Sequence, residues 1–204
     1  MKADADAPGA PRVEVRSGAS GLVERAAAGD ASAWQELIAA YGKRVFALAY
    51  SRCRRVDEAE EVTQSVFATL AATLTGTHAG EYAERGKFEA WLFRIAINRT
   101  RDAVRGVRRR QAAMDTLRAA GSGTHADPQP PADSRLPALR RALESLPDAD
   151  RDVIELRHHA GLSFRQMSDL LDEPVGTLLA RHHRALRKIR ALMQSTADDG
   201  EQNP

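Results

Sequence analysis

A single cysteine, Cys53, stands in a chain of 204 residues, so no internal disulfide can form. A reducing cytoplasm is the simple setting for such a chain. Aromatic residues are only 5% of the total, and runs of alternating Val, Ile, Thr and aromatics are almost missing. Strands are therefore not expected, and the chain reads as all-α. No stretch approaches the ~18 apolar residues of a membrane span, so none is expected. The N-terminal MKADADAPGAPRVEVRSG lacks the apolar centre of a signal peptide. A glycine-rich phosphate loop is missing, as is any pairing of nucleophile, base and oxyanion donors. The chain is thus not expected to be an enzyme, and no cofactor is called for.

What is present is hydrophobic content of 43%, enough for a packed core, and charge that is segregated rather than scarce. The net charge is +2, yet seven arginines (94, 99, 101, 105, 108, 109 and 110) fall between Arg94 and Arg110 with one acid, Asp102. Five bases (Arg181, Arg184, Arg187, Lys188 and Arg190) fall between Arg181 and Arg190 with no acid. Acids gather at Asp57, Glu58, Glu60 and Glu61, and at Asp148, Asp150 and Asp152. Such separation suits a polyanion on some faces and a basic protein on another.

The organisation is two helical domains and a linker. Residues 1–20, rich in Ala, Asp, Pro and Gly, are expected to be a disordered tail. A first helical domain covers 21–112, and a flexible linker covers 113–135. Its segment 119–134, AAGSGTHADPQPPADS, holds three prolines and no large apolar residue. A second domain covers 136–193 and a polar tail 194–204. Asp30 or Ser32 is placed to cap the helix carrying Trp34, Leu37, Ile38 and Tyr41. Residues 75–87 are expected to form a loop. Phe88, Trp91, Leu92, Ile95 and Ala96 begin a helix running on into the arginines. Pro147 suits a helix first turn followed by Asp148, Asp150 and Asp152 at the positive end of the dipole. Ser163 with Gln166 matches a capping box.

Residues 161–190, GLSFRQMSDLLDEPVGTLLARHHRALRKIR, form a short helix, a break at Glu173-Pro174 and a second, basic helix. That is the layout of a helix-turn-helix, whose second helix offers polar groups to base edges and cations to phosphates. A plain αα-hairpin with a solvated basic face has the same spacing. Phe88, Trp91 and Phe93 beside the upstream arginines suit single-stranded nucleic acid, where bases stack and phosphates need cations. A solvated helical face or an RNA-binding tail would look similar, and Trp91 is more often a core residue than a stacking platform. The adjacent pairs His158-His159 and His182-His183 point about 100° apart on a helix and chelate poorly, so no metal site is expected. Cys53 is read as a small buried filler.

Three segments carry a family resemblance. DEAEEVTQSVFATL (57–70) resembles the second-region helix of bacterial RNA polymerase sigma factors. GKFEAWLFRIAINRTRDAVRGVRRR (86–110) resembles their promoter-melting and −10-reading segment. SLPDADRDVIELRHHAGLSFRQMSDLLDEPVGTLLARHHRALRKIR (145–190) resembles their fourth region, which reads the −35 element. The small two-domain extracytoplasmic-function type of the sigma-70 family fits best.

That resemblance implies binding to core RNA polymerase, through the β′ clamp helices and the β flap, and to promoter DNA. It also implies promoter-directed initiation by −10 melting and −35 recognition. Asp57, Glu58, Glu61 and Gln64 would dock on the polymerase. Phe88, Trp91, Asn98, Arg99, Arg101, Arg105 and Arg108 would handle the −10 element, with Asn98 near the pocket for a flipped base. Thr177, Arg181, His183, Arg184, Arg187 and Lys188 would face the −35 element. A cognate anti-sigma factor is common in the family, and the linker would thread toward the RNA exit path. The chain departs from the pattern at Leu179 and Ala180, where the family often has a basic residue and a serine. Two rivals share these features: a stand-alone helix-turn-helix regulator with an N-terminal sensor or dimerisation domain, and a degenerate sigma homologue that no longer initiates.

Overall fold

The computed structural model describes residues 19–76, 88–118 and 135–201. Of the expected tail at 1–20, residues 1–18 lie outside them, as do the rest of the loop after Gly76 and the proline-bearing linker segment 119–134; residues 19–20, 113–118 and 194–201, expected as tail or linker, are helical. Among the described residues there are eight helices and no strand. In chain order they are α1 (Ala19–Ala27), α2 (Ala31–Cys53), α3 (Val56–Thr75), α4 (Phe88–Arg118), α5 (Arg135–Glu144), α6 (Asp148–His158), α7 (Phe164–Leu171) and α8 (Val175–Glu201).

Local chemistry sets the helix ends. Asp30 is the N-cap of α2, its carboxylate accepting from the backbone N–H groups of Ser32 and Ala33. Bonds from the Ser32 hydroxyl and the Arg25 guanidinium hold that carboxyl well below the ordinary aspartate range. Ser163 begins α7 with both halves of the capping box in place: its hydroxyl accepts from the Gln166 N–H, and the Gln166 side chain accepts from the Ser163 N–H. Ser163→Ala is expected to cost about 1 kcal/mol. Urea unfolding measures it. Asp172 ends α7 in the left-handed conformation, φ 56°, which a short polar side chain tolerates.

Helical spacing of apolar residues then assembles the layers. Leu37, Tyr41, Val45 and Leu48 of α2 face Ala59, Val62, Val66, Leu70 and Leu74 of α3, all buried. Phe88, Leu92, Phe93, Ala96 and Ile97 of α4 close this group from the third side. In the second half α5 and α6 pack on α8 through Ala142, Leu146, Ile154, Ala185 and Ile189. The two halves do not keep separate interiors. Val153, Leu156, Ala160, Leu162, Met167, Leu170 and Leu178 belong to the same apolar cluster as α1 to α4. Cys53 is buried in that cluster, as a filler would be, and burial pushes its thiol up to about 11.

Candidate nucleic-acid interface

The buried row of α3 leaves its opposite face to solvent. Asp57, Glu61 and Gln64, spaced four and three residues apart, share that face and are exposed. Asp57 pairs with Arg55 at the helix start. Glu58 turns the other way and accepts from Arg110 of α4 at 2.6 Å. Three of the four docking candidates therefore form one acidic to neutral surface, and the fourth ties α3 to the basic helix.

On α4 the structure separates aromatics from cations. Phe88 is 5% exposed and packs edge-on against Tyr41 at 5.3 Å. Trp91 is half-buried, 6.4 Å from Phe88. Both rings are thus part of the packing as folded. Asn98, Arg99, Arg105 and Arg108 are exposed. Arg99 donates to the Thr69 hydroxyl at 3.1 Å and Arg105 to Asp102 at 2.6 Å. Arg101 is different: it pairs with Asp152 of α6.

The helix-turn-helix is formed by α7, the turn at 172–174 and α8. In that turn the Ser168 hydroxyl donates to the Glu173 carbonyl at 2.6 Å, and the Thr177 N–H to the Pro174 carbonyl at 2.9 Å. Leu178, Ala185 and Ile189 are buried, so the other side of α8 is turned outward. Thr177, His183, Arg184, Arg187 and Lys188 are all exposed there. Leu179 and Ala180, the two departures from the family pattern, are exposed as well. Arg181 is drawn back onto Glu173 at 2.8 Å, and Lys188 donates to the Ser145 carbonyl at 2.6 Å.

Sequence patterning missed the contacts that join the halves. Arg52 of α2 meets Asp152 at 2.5 Å and also pairs with Glu155. Burial opposes the Arg52 charge, but the two carboxylates outweigh it and hold its pKa above the usual value. Arg151 donates to Glu155 at 2.8 Å and to the Ser51 carbonyl at 3.2 Å. Asp152 and Glu155 are 3% and 1% exposed, so these are interior carboxylates facing three guanidinium groups. Two further arginines act as caps. Arg44 donates to the Ala160 carbonyl at 2.7 Å, just past the end of α6, and Arg94 to the Leu170 carbonyl at 3.0 Å, at the end of α7. Each places a cation where a helix dipole is negative and its carbonyls lack partners. The available signal was Glu155 itself, an acid inside the apolar run VIEL. Asp152 was read with its neighbours as complementing the helix dipole, whereas its carboxylate points into the joint between the halves.

The fold also pairs histidines that the sequence keeps apart. His158 Nε2 lies 3.3 Å from His182 Nε2, and the Phe164 ring meets His182 edge-on at 5.4 Å. Burial, with Arg157 and His159 nearby, lowers the His158 pKa; burial, with His158, His183 and Arg157, lowers that of His182.

A family model described as Sigma-70 region 2 matches residues 37–110, and one described as Sigma-70, region 4 matches residues 142–191. The chain is 32% identical over 185 residues to the ECF RNA polymerase sigma factor SigE of Mycolicibacterium smegmatis, spanning 87% of this chain and 69% of that protein. It is 32% identical over 178 residues to the ECF RNA polymerase sigma-E factor of Escherichia coli K12, spanning 82% and 90%. Among solved structures, CnrH in complex with the cytosolic domain of CnrY matches with a TM-score of 0.62 at 25% identity, covering 86% of this chain and 97% of that one. The fold is also that of the sigma factor RpoE of Bartonella quintana, solved with the anti-sigma factor NepR, at a TM-score of 0.56 and 20% identity.

Proposed function

This chain belongs to the sigma-70 family, as a sigma factor of the extracytoplasmic-function type, and on that footing we propose how its surfaces divide the work of promoter-directed initiation. Residues 21–112 and 136–193 act as the two working domains and 113–135 as the tether between them. The α3 face of Asp57, Glu61 and Gln64 docks on basic groups of core RNA polymerase, with Glu58 setting the approach of α3 to α4. Asn98, Arg99, Arg105 and Arg108 take the −10 strand, the cations on phosphates and Asn98 at a base. Thr177, His183, Arg184, Arg187 and Lys188 take the −35 duplex, with Leu179 and Ala180 supplying apolar contact of the kind a thymine methyl accepts. The chain contributes recognition and melting, and the chemistry of RNA synthesis belongs to the polymerase. An anti-sigma factor is a further partner of this reading.

The observation that carries the proposal is the charge division on one folded surface: exposed acids on α3, exposed arginines on α4, and exposed cations on the second helix of a helix-turn-helix. The first of these favours docking on a polymerase over a stand-alone regulator. Arg101 and Phe88 enter the −10 set only after rearrangement, because one is paired to Asp152 and the other is packed in the core. Binding two separated DNA elements at once raises affinity without new contacts, provided the tether lets both domains reach. Free chain is accordingly expected to bind promoter DNA weakly.

The test is reconstituted transcription. Purified chain with core polymerase is expected to yield specific transcripts from a promoter selected out of a randomised −10/−35 library. Failure at every selected sequence, with polymerase binding intact, would overturn the initiation role and leave a degenerate homologue.

A further inference from the structure

Two imidazoles meet at the end of α6. His158 Nε2 and His182 Nε2 are 3.3 Å apart, a separation at which one imidazole also donates to the other when no ion is bound. Two nitrogens each about 2.0–2.1 Å from one tetrahedral ion lie about 3.3–3.4 Å from each other. The ring positions are held by the fold: His158 ends α6, His182 stands on the second turn of α8, and the Phe164 edge packs on His182. Buried Leu156, Met167 and Leu178 hold α6, α7 and α8 in one apolar cluster.

We propose that His158 and His182 form a two-imidazole site for a divalent transition-metal ion of the zinc class, linking the end of α6 to the DNA-facing helix α8. Imidazole suits zinc, copper and nickel over magnesium or calcium. Among the described residues no group of three or more His, Cys, Asp or Glu is placed to share an ion, so water fills the remaining positions. His159 and His183, the sequence neighbours, are not the chelating partners: His183 meets His182 edge-on, with ring centroids 6.0 Å apart, and the close approach of ring nitrogens runs between helices instead. One cation, Arg157, lies close, but its guanidinium is over the Phe164 ring at 5.5 Å and donates to the Leu162 carbonyl at 3.1 Å. A bound ion would add positive charge beside Arg181, His183 and Arg184, and so bear on how this face meets phosphate. The site goes beyond the sigma-factor assignment and does not depend on it.

Calorimetric titration of the full chain with Zn2+ in a non-chelating buffer tests the site. One ion per chain is expected, and a melting temperature that rises with Zn2+, because the ion binds the folded state. His158→Asn and His182→Asn should each weaken binding at least tenfold, no less than loss of a second-shell partner does. His159→Asn and His183→Asn should leave it unchanged. Circular dichroism before titration checks folding; should His182→Asn melt early, His158→Asn, at an exposed helix end, decides the matter. Absence of saturable binding by wild type would overturn the proposal, as would wild-type affinity in the His158 variant.

Discussion

Glu61→Arg is expected to abolish retention of core RNA polymerase by this chain. Glu61 is exposed on α3 between Asp57 and Gln64, on the face opposite the buried row of Ala59, Val62 and Val66. Substitution there leaves the core untouched, so helicity and melting should not change. The reversal replaces an attractive charge with a repulsive one against a basic partner. Like charges brought together across an interface cost several kcal/mol. A loss of about 3 kcal/mol already weakens binding more than a hundredfold. Glu61→Gln, which removes the charge without inverting it, should fall between the two. Pull-down of core polymerase by each purified variant measures the series. Wild-type retention by Glu61→Arg would move the docking surface away from α3.

The second large effect belongs to the joint between the halves. Glu155→Ala is expected to destabilise the folded chain by about 3–5 kcal/mol, the range for breaking a buried pair from one side. The Glu155 side chain is 1% exposed and serves both Arg52 and Arg151, whose side chains are 8% and 12% exposed. Its removal leaves Arg151 without that carboxylate and Arg52 with Asp152 alone, in surroundings that hydrate neither well. Glu155→Gln keeps the shape and an acceptor oxygen and should cost less. Urea unfolding gives the energy, and small-angle scattering shows whether α5 to α8 swing away from α1 to α4. A loss below about 1 kcal/mol would mean the network behaves as a surface one.

Much of this protein was legible in the residues. The all-α fold followed from helical spacing of Leu, Ala and Val together with the scarcity of alternating runs. The capping box at Ser163 and Gln166 was readable because a cap is a contact between near neighbours. The helix-turn-helix was readable from the break at Glu173-Pro174 and from the acid-free run beyond it. The family resemblance rested on three segments in order, and the family matches cover those same segments.

The sequence could not say which arginines stay free. Arg94, Arg99, Arg101 and Arg105 look alike in the chain, yet one caps α7, one leans on Thr69, one pairs with Asp152 and one with Asp102. Nor could it separate Phe88 as core from Phe88 as a stacking surface, or foresee His158 against His182. Apart from Arg105, whose partner Asp102 is three residues away, these outcomes depend on partners 24 to 76 residues away in the chain. Local pattern determined the helices, their caps and the sign of their faces, because those interactions reach only three or four residues. Which charged groups meet nucleic acid and which meet one another was decided by tertiary packing, where burial makes an unpaired charge costly enough to select its partner.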